Sequence, residues 1–315
     1  MSEPSVAIII VNWNAGRQLR ECLDSIASSR RDGWRLEGVV VVDNASGDDS
    51  LAGIGEVELP LRVLTNSANR GFAAACNQGA GHCASDYLLF LNPDCVVEPD
   101  AIAAVVAFME RKENGAVGVA GARLLDAQGR TWRCCSRRPR PLDFLKKAFG
   151  VDALFPRLRT HLMREWDHEE SRPVDHVMGS FYLVRRNLFE QLGGFDERFF
   201  VYLEDLDFSV RTAQAGYTVH YLAEPRVFHR GGGTSEQARV DRLFYSLRSR
   251  VLYAFKHFGR AGAMAVALTT LTWEPLPRLA QATLRANPAG IQETLQAYVR
   301  LWSWVLRGAK REWER

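Results

Sequence analysis

The chain has 315 residues, 47% of them hydrophobic and 24% charged, with a formal net charge of +3, which suits one large globular domain with an appendage. The residues before the first strand-like run contain neither a basic segment nor a cleavage site, so we expect no signal peptide and a cytoplasmic protein. The cysteine spacing matches neither paired zinc hooks nor a small disulfide scaffold, and predicts six reduced thiols: Cys22, Cys76, Cys83, Cys95, Cys134 and Cys135.

Short apolar runs alternate with helical patterns over the first hundred residues. The runs are rich in β-branched and aromatic residues, as in buried parallel strands, and cover residues 6–11, 38–42, 61–64 and 87–91. A helix with apolar residues at three- and four-residue spacing is predicted over residues 19–26, and a helix of small residues is predicted before the fourth run. Strand, helix and strand in this order predict an α/β fold with right-handed parallel crossovers.

Polar residues follow each of these strands. The strand at residues 87–91 stops at Asn92, Pro93 and Asp94, and the earlier strands run into segments rich in Asn, Asp, Ser and Gly. Open α/β sheets place their ligands at the carboxyl ends of their strands. The sequence therefore predicts a binding site where these polar segments meet.

The second half of the chain continues the pattern with one interruption. Asp100 is predicted to cap a helix, and strands are predicted over residues 117–125, 177–184 and 219–229. Between Cys134 and Arg172, arginines and lysines alternate with prolines, which indicates a basic, partly mobile lobe that is either a solvated surface or an acceptor-binding segment. The last strand ends at His229, beside a run of glycines.

Three carboxylates crowd the start of a predicted helix. Asp207 is spaced for an ion pair with Arg211, which explains it structurally. Glu204 and Asp205 are adjacent, and side chains that follow each other on a helix diverge by about 100°. One of the two can therefore enter a cleft while the other is anchored.

The segment from residue 235 onward is the basic part of the chain. From Val240 to the end there are 12 Lys/Arg and five Asp/Glu. Apolar residues recur every three or four positions in two predicted helices, and the apolar stretch between them, residues 261–273, is too short to span a bilayer. Two functions remain open for these helices. They either bind at an anionic membrane surface or pack within the protein or a homodimer.

These motifs together resemble the inverting family 2 glycosyltransferases, in the bacterial rhamnosyltransferase-like subgroup. The resemblance runs from about residue 6 to residue 233 and rests on residues 11–14, 42–46, 69–77, 91–94, 193–196, 204–205 and 229. It implies the GT-A fold, a Rossmann-like and mostly parallel sheet flanked by helices. It also implies a catalytic domain at 1–234, with a nucleotide-sugar half at 1–98 and an acceptor half at 99–234, followed by a basic amphipathic helical extension at 235–315.

The resemblance also implies roles for individual residues. Asp205 is expected to be the catalytic base, with Glu204 beside it, and Asp94 and His229 are expected to hold Mg²⁺ or Mn²⁺. Asn92 stands where the wider family has a carboxylate, so we expect weaker or water-mediated metal binding. The expected donor-binding residues are Val11, Asn12, Asn14, Asp43, Asn44, Asn69, Arg70, Gly71, Asn77, Asn92 and Asp94.

Rhamnose from dTDP-rhamnose is the leading donor that the resemblance implies, with a UDP-sugar as the alternative. The acceptor is expected to be a saccharide hydroxyl, including one on a polyprenyl-diphosphate-linked precursor, and no nucleic-acid partner is expected. Three other classes of protein are alternatives to this function. A processive synthase would add long transmembrane helices and a Gln-x-x-Arg-Trp motif, and a nucleotidyltransferase would begin with a glycine-rich phosphate loop, but neither feature is present in the sequence. A non-catalytic nucleotide-sugar-binding scaffold remains open.

Overall fold

The computed structural model describes residues 3–151, 161–231 and 238–313, without side chains for 308–313. Its strands are β1 (Ser5–Asn12), β2 (Arg35–Asp43), β3 (Leu61–Thr65), β4 (Tyr87–Leu91), β5 (Cys95–Val97), β6 (Val117–Leu125), β7 (Cys135–Ser136), β8 (Arg172–Val174), β9 (His176–Val177), β10 (Phe181–Arg185) and β11 (Thr218–His229). Its α-helices are α1 (Arg17–Ala27), α2 (Phe72–Ala80), α3 (Ala101–Glu110), α4 (Pro141–Ala148), α5 (Arg186–Gln191), α6 (Glu204–Gln214), α7 (Arg239–His257), α8 (Arg260–Leu268), α9 (Pro275–Leu284) and α10 (Pro288–Trp313).

One mixed sheet has the strand order β3-β2-β1-β4-β10-β6-β11-β5, with β8 paired to β11. The first four of these strands are parallel, as the apolar runs predict, and β10 then runs antiparallel to both β4 and β6. All residues of β1 and β4 are buried. The α/β fold with a mostly parallel sheet and flanking helices is confirmed.

The chain crosses the sheet between β4 and β5. These strands are separated by only residues 92–94, yet β5 pairs with β11 at the far edge. This crossing carries Asp94 from the end of a central strand to the neighbourhood of the last strand. The position of Asp94 therefore depends on a pairing between distant parts of the sequence.

Three sequence expectations need correction. Asp100 occupies the N-cap position of α3, but its side chain makes no capping hydrogen bond and pairs with Arg30 at 3.0 Å. The strand expected over residues 177–184 is split into β9 and β10, because the chain turns at Gly179. The basic lobe contains β7 and α4, so it is more ordered than its composition suggests, while Arg157 and Arg159 lie outside the described residues.

The chain divides into two compact units. The first comprises Met1–Arg138, Leu162–Glu197 and Glu204–Thr234 and contains the sheet. The second comprises Pro139–His161, Arg198–Leu203 and Ser235–Arg315, so segments 139–161 and 198–203 group with the C-terminal helices. The assignment of donor, acceptor and extension functions to ranges of the chain stays a prediction.

Helices α7 and α10 form the core of the second unit. Phe244 and Leu247 from α7 pack with Ala297, Tyr298 and Leu301 from α10, which accounts for part of the predicted apolar faces. A π-helical turn, Thr269–Trp273, precedes α9, and Pro275 occupies the first turn of α9, where its missing N–H is tolerated. Within the described ranges, none of the helices has both the length and the apolar character needed to cross a bilayer.

Candidate active site

Asp94 and His229 meet because β5 and β11 pair antiparallel. Cys95 lies opposite His229 in the register, so Asp94 lies beside the segment that follows β11. The backbone N–H of Gly231 donates to Asp94 Oδ2 at 3.2 Å, and Asp94 Oδ1 lies 3.3 Å from His229 Nε2. Both side chains are nearly buried. The expected pairing of these residues is therefore present in the structure.

The donor set of this pair fits a divalent cation. Two neighbouring ligands of an octahedral ion lie about 3 Å apart, close to the separation of Asp94 Oδ1 and His229 Nε2. Cys95 is also within reach, but burial, followed by the charge of Asp94, raises the pKa of its thiol, which donates to Ser180 O at 3.4 Å. A neutral thiol is a poor ligand for Mg²⁺ or Mn²⁺, so one carboxylate and one imidazole remain.

Two further residues surround this pair, and the sequence analysis did not identify them. Ser180 Oγ lies 3.3 Å from His229 Nε2 and also accepts a hydrogen bond from Asn92 Nδ2 at 3.3 Å. The ring of Trp132 lies 5.2 Å from the ring of His229 and covers Gly231. Asn92 thus supports the site through Ser180. No periodic pattern in the sequence marks Ser180 as a site residue. Trp132 is an aromatic residue in a polar segment, and this is the local signal that could have identified it.

Asp205 is held at the start of α6 by two backbone amides. The N–H of Gly179 donates to Asp205 Oδ2 at 2.8 Å, and the N–H of Leu206 donates to Asp205 Oδ1 at 2.7 Å. The side chain of Asp205 is 17% exposed, so the carboxylate is fixed but still accessible. A carboxylate held in this way has a free lone pair with which to accept a proton.

Glu204 is more deeply buried than Asp205, the next residue of the helix. It is buried, and its Oε2 has no hydrogen-bond partner among the described residues. Burial, with a further contribution from the charge of Asp205, raises the pKa of Glu204 well above its usual value. Glu204 is therefore a buried carboxyl group that favours its neutral form, which suits a structural role, and its expected place beside the reacting atoms stays a prediction.

Gly179 and Ser180 connect the two parts of the site. Gly179 contacts Asp205, and the next residue contacts His229. Because consecutive Cα atoms are about 3.8 Å apart, the base candidate and the metal-ligand candidates lie on either side of one short turn. A Cβ atom at position 179 would lie 2.9 Å from Asp205 Oδ2, so glycine is required for this close approach.

The polar residues at the ends of β1 and β2 and in the following turn form a connected network. Asn12 is fully buried, and its amide donates to Asp43 Oδ1 at 2.8 Å and to Ser50 Oγ at 2.7 Å. Asp43 Oδ2 accepts from the N–H of Ser46 at 3.2 Å, which is the bond of a turn-forming aspartate. Val11 is buried at the end of β1. These contacts order the strand ends, and their contribution to donor binding stays a prediction.

A second group of expected donor-binding residues shapes the loop before α2. Asn44 accepts a hydrogen bond from the N–H of Arg70 and donates to Gly71 O, and Asn69 Oδ1 accepts from the N–H of Gly71. Gly71 has φ 88°, a conformation that favours glycine. The side chain of Arg70 is exposed. Arg70 is thus accessible to a ligand, while the asparagines hold the loop that presents it.

Two of the remaining expected residues have structural bonds. Asn14 adopts a positive φ of 53° and accepts from the N–H of Gly47 at 2.7 Å. Asn77 donates to Phe195 O at 2.8 Å and to Glu197 Oε1 at 3.0 Å, and its Oδ1 accepts from the N–H of Phe195. Both amide hydrogens of Asn77 are used in holding the turn after α5, and its contribution to donor binding stays a prediction.

A second cluster of metal-ligating residue types, Cys134, Cys135 and His168, lies elsewhere in the first unit. His168 Nε2 accepts from the N–H of Cys135 at 3.3 Å, and Nδ1 lies 3.1 Å from Trp166 O. Both ring nitrogens therefore have backbone partners, and the ring stacks on Trp166. These contacts give the cluster a structural explanation, and the expectation of reduced thiols agrees with six free, buried cysteines.

Two family models match the sequence of this chain. The model of glycosyl transferase family 2 matches residues 7–193, which is more than half of the chain. The chain belongs to glycosyl transferase family 2. A second model, glycosyl transferase family group 2, matches residues 150–306 and so extends into the C-terminal helices. The protein is a glycosyltransferase.

Curated relatives include several rhamnosyltransferases. The chain is 27% identical over 266 residues to an N-acetylglucosaminyl-diphospho-decaprenol L-rhamnosyltransferase of Mycobacterium tuberculosis, covering 80% of this chain and 85% of the relative. It is 30% identical over 252 residues to the O-antigen biosynthesis protein RfbC of Myxococcus xanthus, covering 78% of this chain and 17% of that protein. These similarities confirm the rhamnosyltransferase-like subgroup.

Solved structures confirm the GT-A fold. The mannosyltransferase PcManGT from Pyrobaculum calidifontis, in complex with GDP-Man and Mn²⁺, has a TM-score of 0.54 at 20% identity and covers 99% of this chain and 78% of that chain. TarS 1–349 from S. aureus, in complex with UDP-GlcNAc, has a TM-score of 0.53 at 15% identity and covers 93% and 79%. At these identities the likeness establishes the fold alone.

Proposed function

We propose that this glycosyltransferase uses Asp205 as its catalytic base and transfers a sugar from a nucleoside diphosphate donor, with inversion, to a saccharide hydroxyl. The observation that carries the proposal is the turn at Gly179 and Ser180, which contacts Asp205 on one side and His229 on the other. Inverting transfer needs a proton acceptor and a stabilised leaving group on opposite faces of the reacting carbon. The two sides of this turn supply residues for both requirements.

The acceptor hydroxyl is a poor nucleophile, so its proton must leave as the new bond to the anomeric carbon forms. Asp205 accepts that proton, while the bond between the anomeric carbon and the diphosphate oxygen breaks. The N–H groups of Gly179 and Leu206 fix the carboxylate and so reduce the cost of orienting it. Attack opposite the leaving group inverts the anomeric carbon without a covalent intermediate.

The departing diphosphate carries the developing negative charge. A divalent cation held by Asp94 and His229 would neutralise part of that charge when bound. The short contacts of Asp94 with Gly231 and of His229 with Ser180 orient the two ligands before the donor arrives. With one carboxylate in the pair, the donor phosphates would contribute to holding the ion, so we expect metal affinity to rise when the donor is present.

We propose dTDP-rhamnose as the donor. The support is that the M. tuberculosis relative and WbbL from Escherichia coli are both named rhamnosyltransferases. A UDP-sugar is the alternative, favoured by the structural neighbour solved with UDP-GlcNAc. Thermal-shift screening of nucleotide sugars separates them. Stabilisation by a UDP-hexose without stabilisation by the thymidine compound would reverse our choice.

A lipid-linked acceptor at a membrane surface is a further part of the proposal, supported by the decaprenol-linked substrate in the relative's name. Leu295, Val299, Trp302 and Leu306 are exposed on successive turns of one face of α10, away from its buried residues. In a basic segment, such a face suits an anionic bilayer. We expect salt-sensitive sedimentation with anionic vesicles that Leu295→Glu and Leu306→Glu together abolish, with dTDP binding retained. Unchanged sedimentation would exclude this face as the site, and a change from dimer to monomer would favour a subunit contact.

Substitution of the base tests the catalytic assignment. Asp205→Asn should lower the turnover number by at least about 100-fold, because general base catalysis commonly contributes that much. Nucleotide affinity should stay within about twofold, since the side chain acts on the acceptor. Asp241→Asn, a change of the same kind at an exposed carboxylate in the second unit, is the control. An Asp205→Asn variant that retains a tenth of wild-type turnover would refute the assignment, and a wild-type protein without transfer or donor hydrolysis would favour the non-catalytic scaffold.

A further inference from the structure

His176 is a buried histidine beside the base candidate that the mechanism above does not use. It belongs to β9, and its Nδ1 lies 3.1 Å from Ser209 Oγ on α6. On the other side of the ring, Nε2 lies 3.8 Å from Asp205 Oδ2. One face of α6 therefore contacts both nitrogens of a single imidazole.

The hydrogen bonds of Ser209 determine where the imidazole carries its proton. Ser209 Oγ donates to the backbone O of Asp205 at 2.9 Å, because a carbonyl can only accept. Its single proton is then used, so Ser209 Oγ accepts from Tyr182 O–H at 2.9 Å and from His176 Nδ1. This arrangement favours the Nδ1–H tautomer of His176, in which Nε2 carries a lone pair that faces the Asp205 carboxylate.

The surroundings of His176 keep the ring neutral. Burial lowers the pKa of His176, and the charge of Asp205 offsets only part of that effect. Tyr182 on β10 shares Ser209 Oγ with His176, and Cys135 lies on β7, the strand paired with β9. Burial raises the pKa of both groups. Both stay uncharged across the physiological range, so Asp205 is the charged group that acts on this ring.

We propose that His176 is a positioning residue for Asp205: once the acceptor's proton is bound to Oδ2 of Asp205, the unprotonated Nε2 of His176 accepts a hydrogen bond from that O–H. An ionised carboxylate cannot donate to Nε2, whereas a protonated one can. The contact is therefore stronger in the state that forms as the reaction proceeds, which is the requirement for lowering a barrier. A side-chain movement of about 1 Å brings the observed 3.8 Å to hydrogen-bond distance, and catalytic hydrogen bonds commonly shorten in this way.

The inference rests on the proposed function of Asp205, and one measurement tests it without any activity. The chain contains seven histidines, so selective ¹⁵N-histidine labelling of the full-length protein gives few signals. We expect the signal that disappears in His176→Asn to show the Nδ1–H tautomer at pH 7.5. An Nε2–H tautomer or a charged ring at that pH would overturn the proposal, even if the wild-type protein were inactive with every donor tested.

Kinetics test the positioning role. His176→Asn keeps an amide near the Nδ1 position but places no atom at Nε2, so the turnover number should fall at least about tenfold at unchanged acceptor KM. The acid limb of the pH profile of kcat should move to lower pH, because the variant no longer offers the protonated carboxyl group a hydrogen-bond acceptor. His176→Gln, which reaches the Nε2 position, should recover part of the turnover.

His220→Asn is the matched control, because His220 is a half-buried histidine of the same unit that packs against Phe108. It should leave kcat and the pH profile unchanged. If His176→Asn does not fold, Ser209→Ala provides the second test. Without Ser209 Oγ the ring can adopt the Nε2–H tautomer and donate to the ionised Asp205, so the acid limb should again move down. An unshifted acid limb in the folded variants would contradict the proposal, whereas a wild-type protein without transfer would contradict the proposed function itself.

Discussion

The most quantitative prediction concerns a buried ion pair in the second unit. Arg250 on α7 and Glu274, next to α9, are each 3% exposed and form a salt bridge, and Arg278 pairs with the other oxygen of Glu274 at 2.6 Å. Burial alone would raise the pKa of Glu274, but the charges of Arg250 and Arg278 outweigh it and lower that pKa. Glu274 therefore stays ionised in a nearly dry environment.

Glu274→Gln removes this charge at nearly constant volume and leaves the Arg250 guanidinium buried without a carboxylate. Breaking one partner of a buried pair typically costs about 3–5 kcal/mol. The matched control is Asp241→Asn, which breaks an exposed ion pair with Arg300. The side chain of Asp241 is 46% exposed and that of Arg300 is 42% exposed. Exposed pairs contribute about 0–1 kcal/mol, so the free energies of unfolding of the two variants should differ by at least about 2 kcal/mol.

Urea unfolding combined with hydrogen exchange measures this difference. Exchange in peptides from α7 and α9 reports on the second unit directly, since the two units need not unfold together. The lowered pKa means that the contribution of Glu274 is present above the unfolded pKa, about 4.3, and is lost as pH falls through the folded value. Wild type and Glu274→Gln should therefore converge in acid. Equal destabilisation by both variants at pH 7 would refute the reasoning.

Two further predictions concern the turn and the helix start at the candidate base. Gly179→Ala places a methyl group 2.9 Å from Asp205 Oδ2, so the carboxylate must move. The turnover number should then fall on the order of 10- to 100-fold with unchanged nucleotide affinity. A wild-type turnover number in this variant would show that the position of the carboxylate is not critical. Glu204→Gln replaces a neutral carboxyl by a neutral amide, so kcat should stay within about twofold. Because the pKa of Glu204 is raised in the folded protein, the unfolded state loses this proton first, and the wild type loses stability as pH rises from about 4.3. Glu204→Gln has no such proton. The Tm of the variant relative to that of the wild type should therefore increase between pH 5 and pH 8. An inactive but folded Glu204→Gln would restore Glu204 to the catalytic machinery.

The sequence by itself determined many elements of the fold and the end of the sheet where the candidate site lies. The apolar run at residues 87–91 predicted β4, and the helical periodicity at residues 19–26 predicted α1. Both are local signals. The ion pair of Asp207 with Arg211, at 2.8 Å, also follows from spacing along one helix. Such features depend on neighbouring residues, which is why a linear pattern predicts them.

Tertiary structure alone decided which polar residues meet. Asp94 reaches His229 only because β5 crosses to pair with β11, and no local pattern encodes that pairing. The same folding uses both amide hydrogens of Asn77 in a distant turn and places Ser180 and His176 beside the site, although neither stands out in the sequence. Hydrogen-bonding capacity is a property of each residue, but its partners are set by the packing of segments that are far apart in the chain.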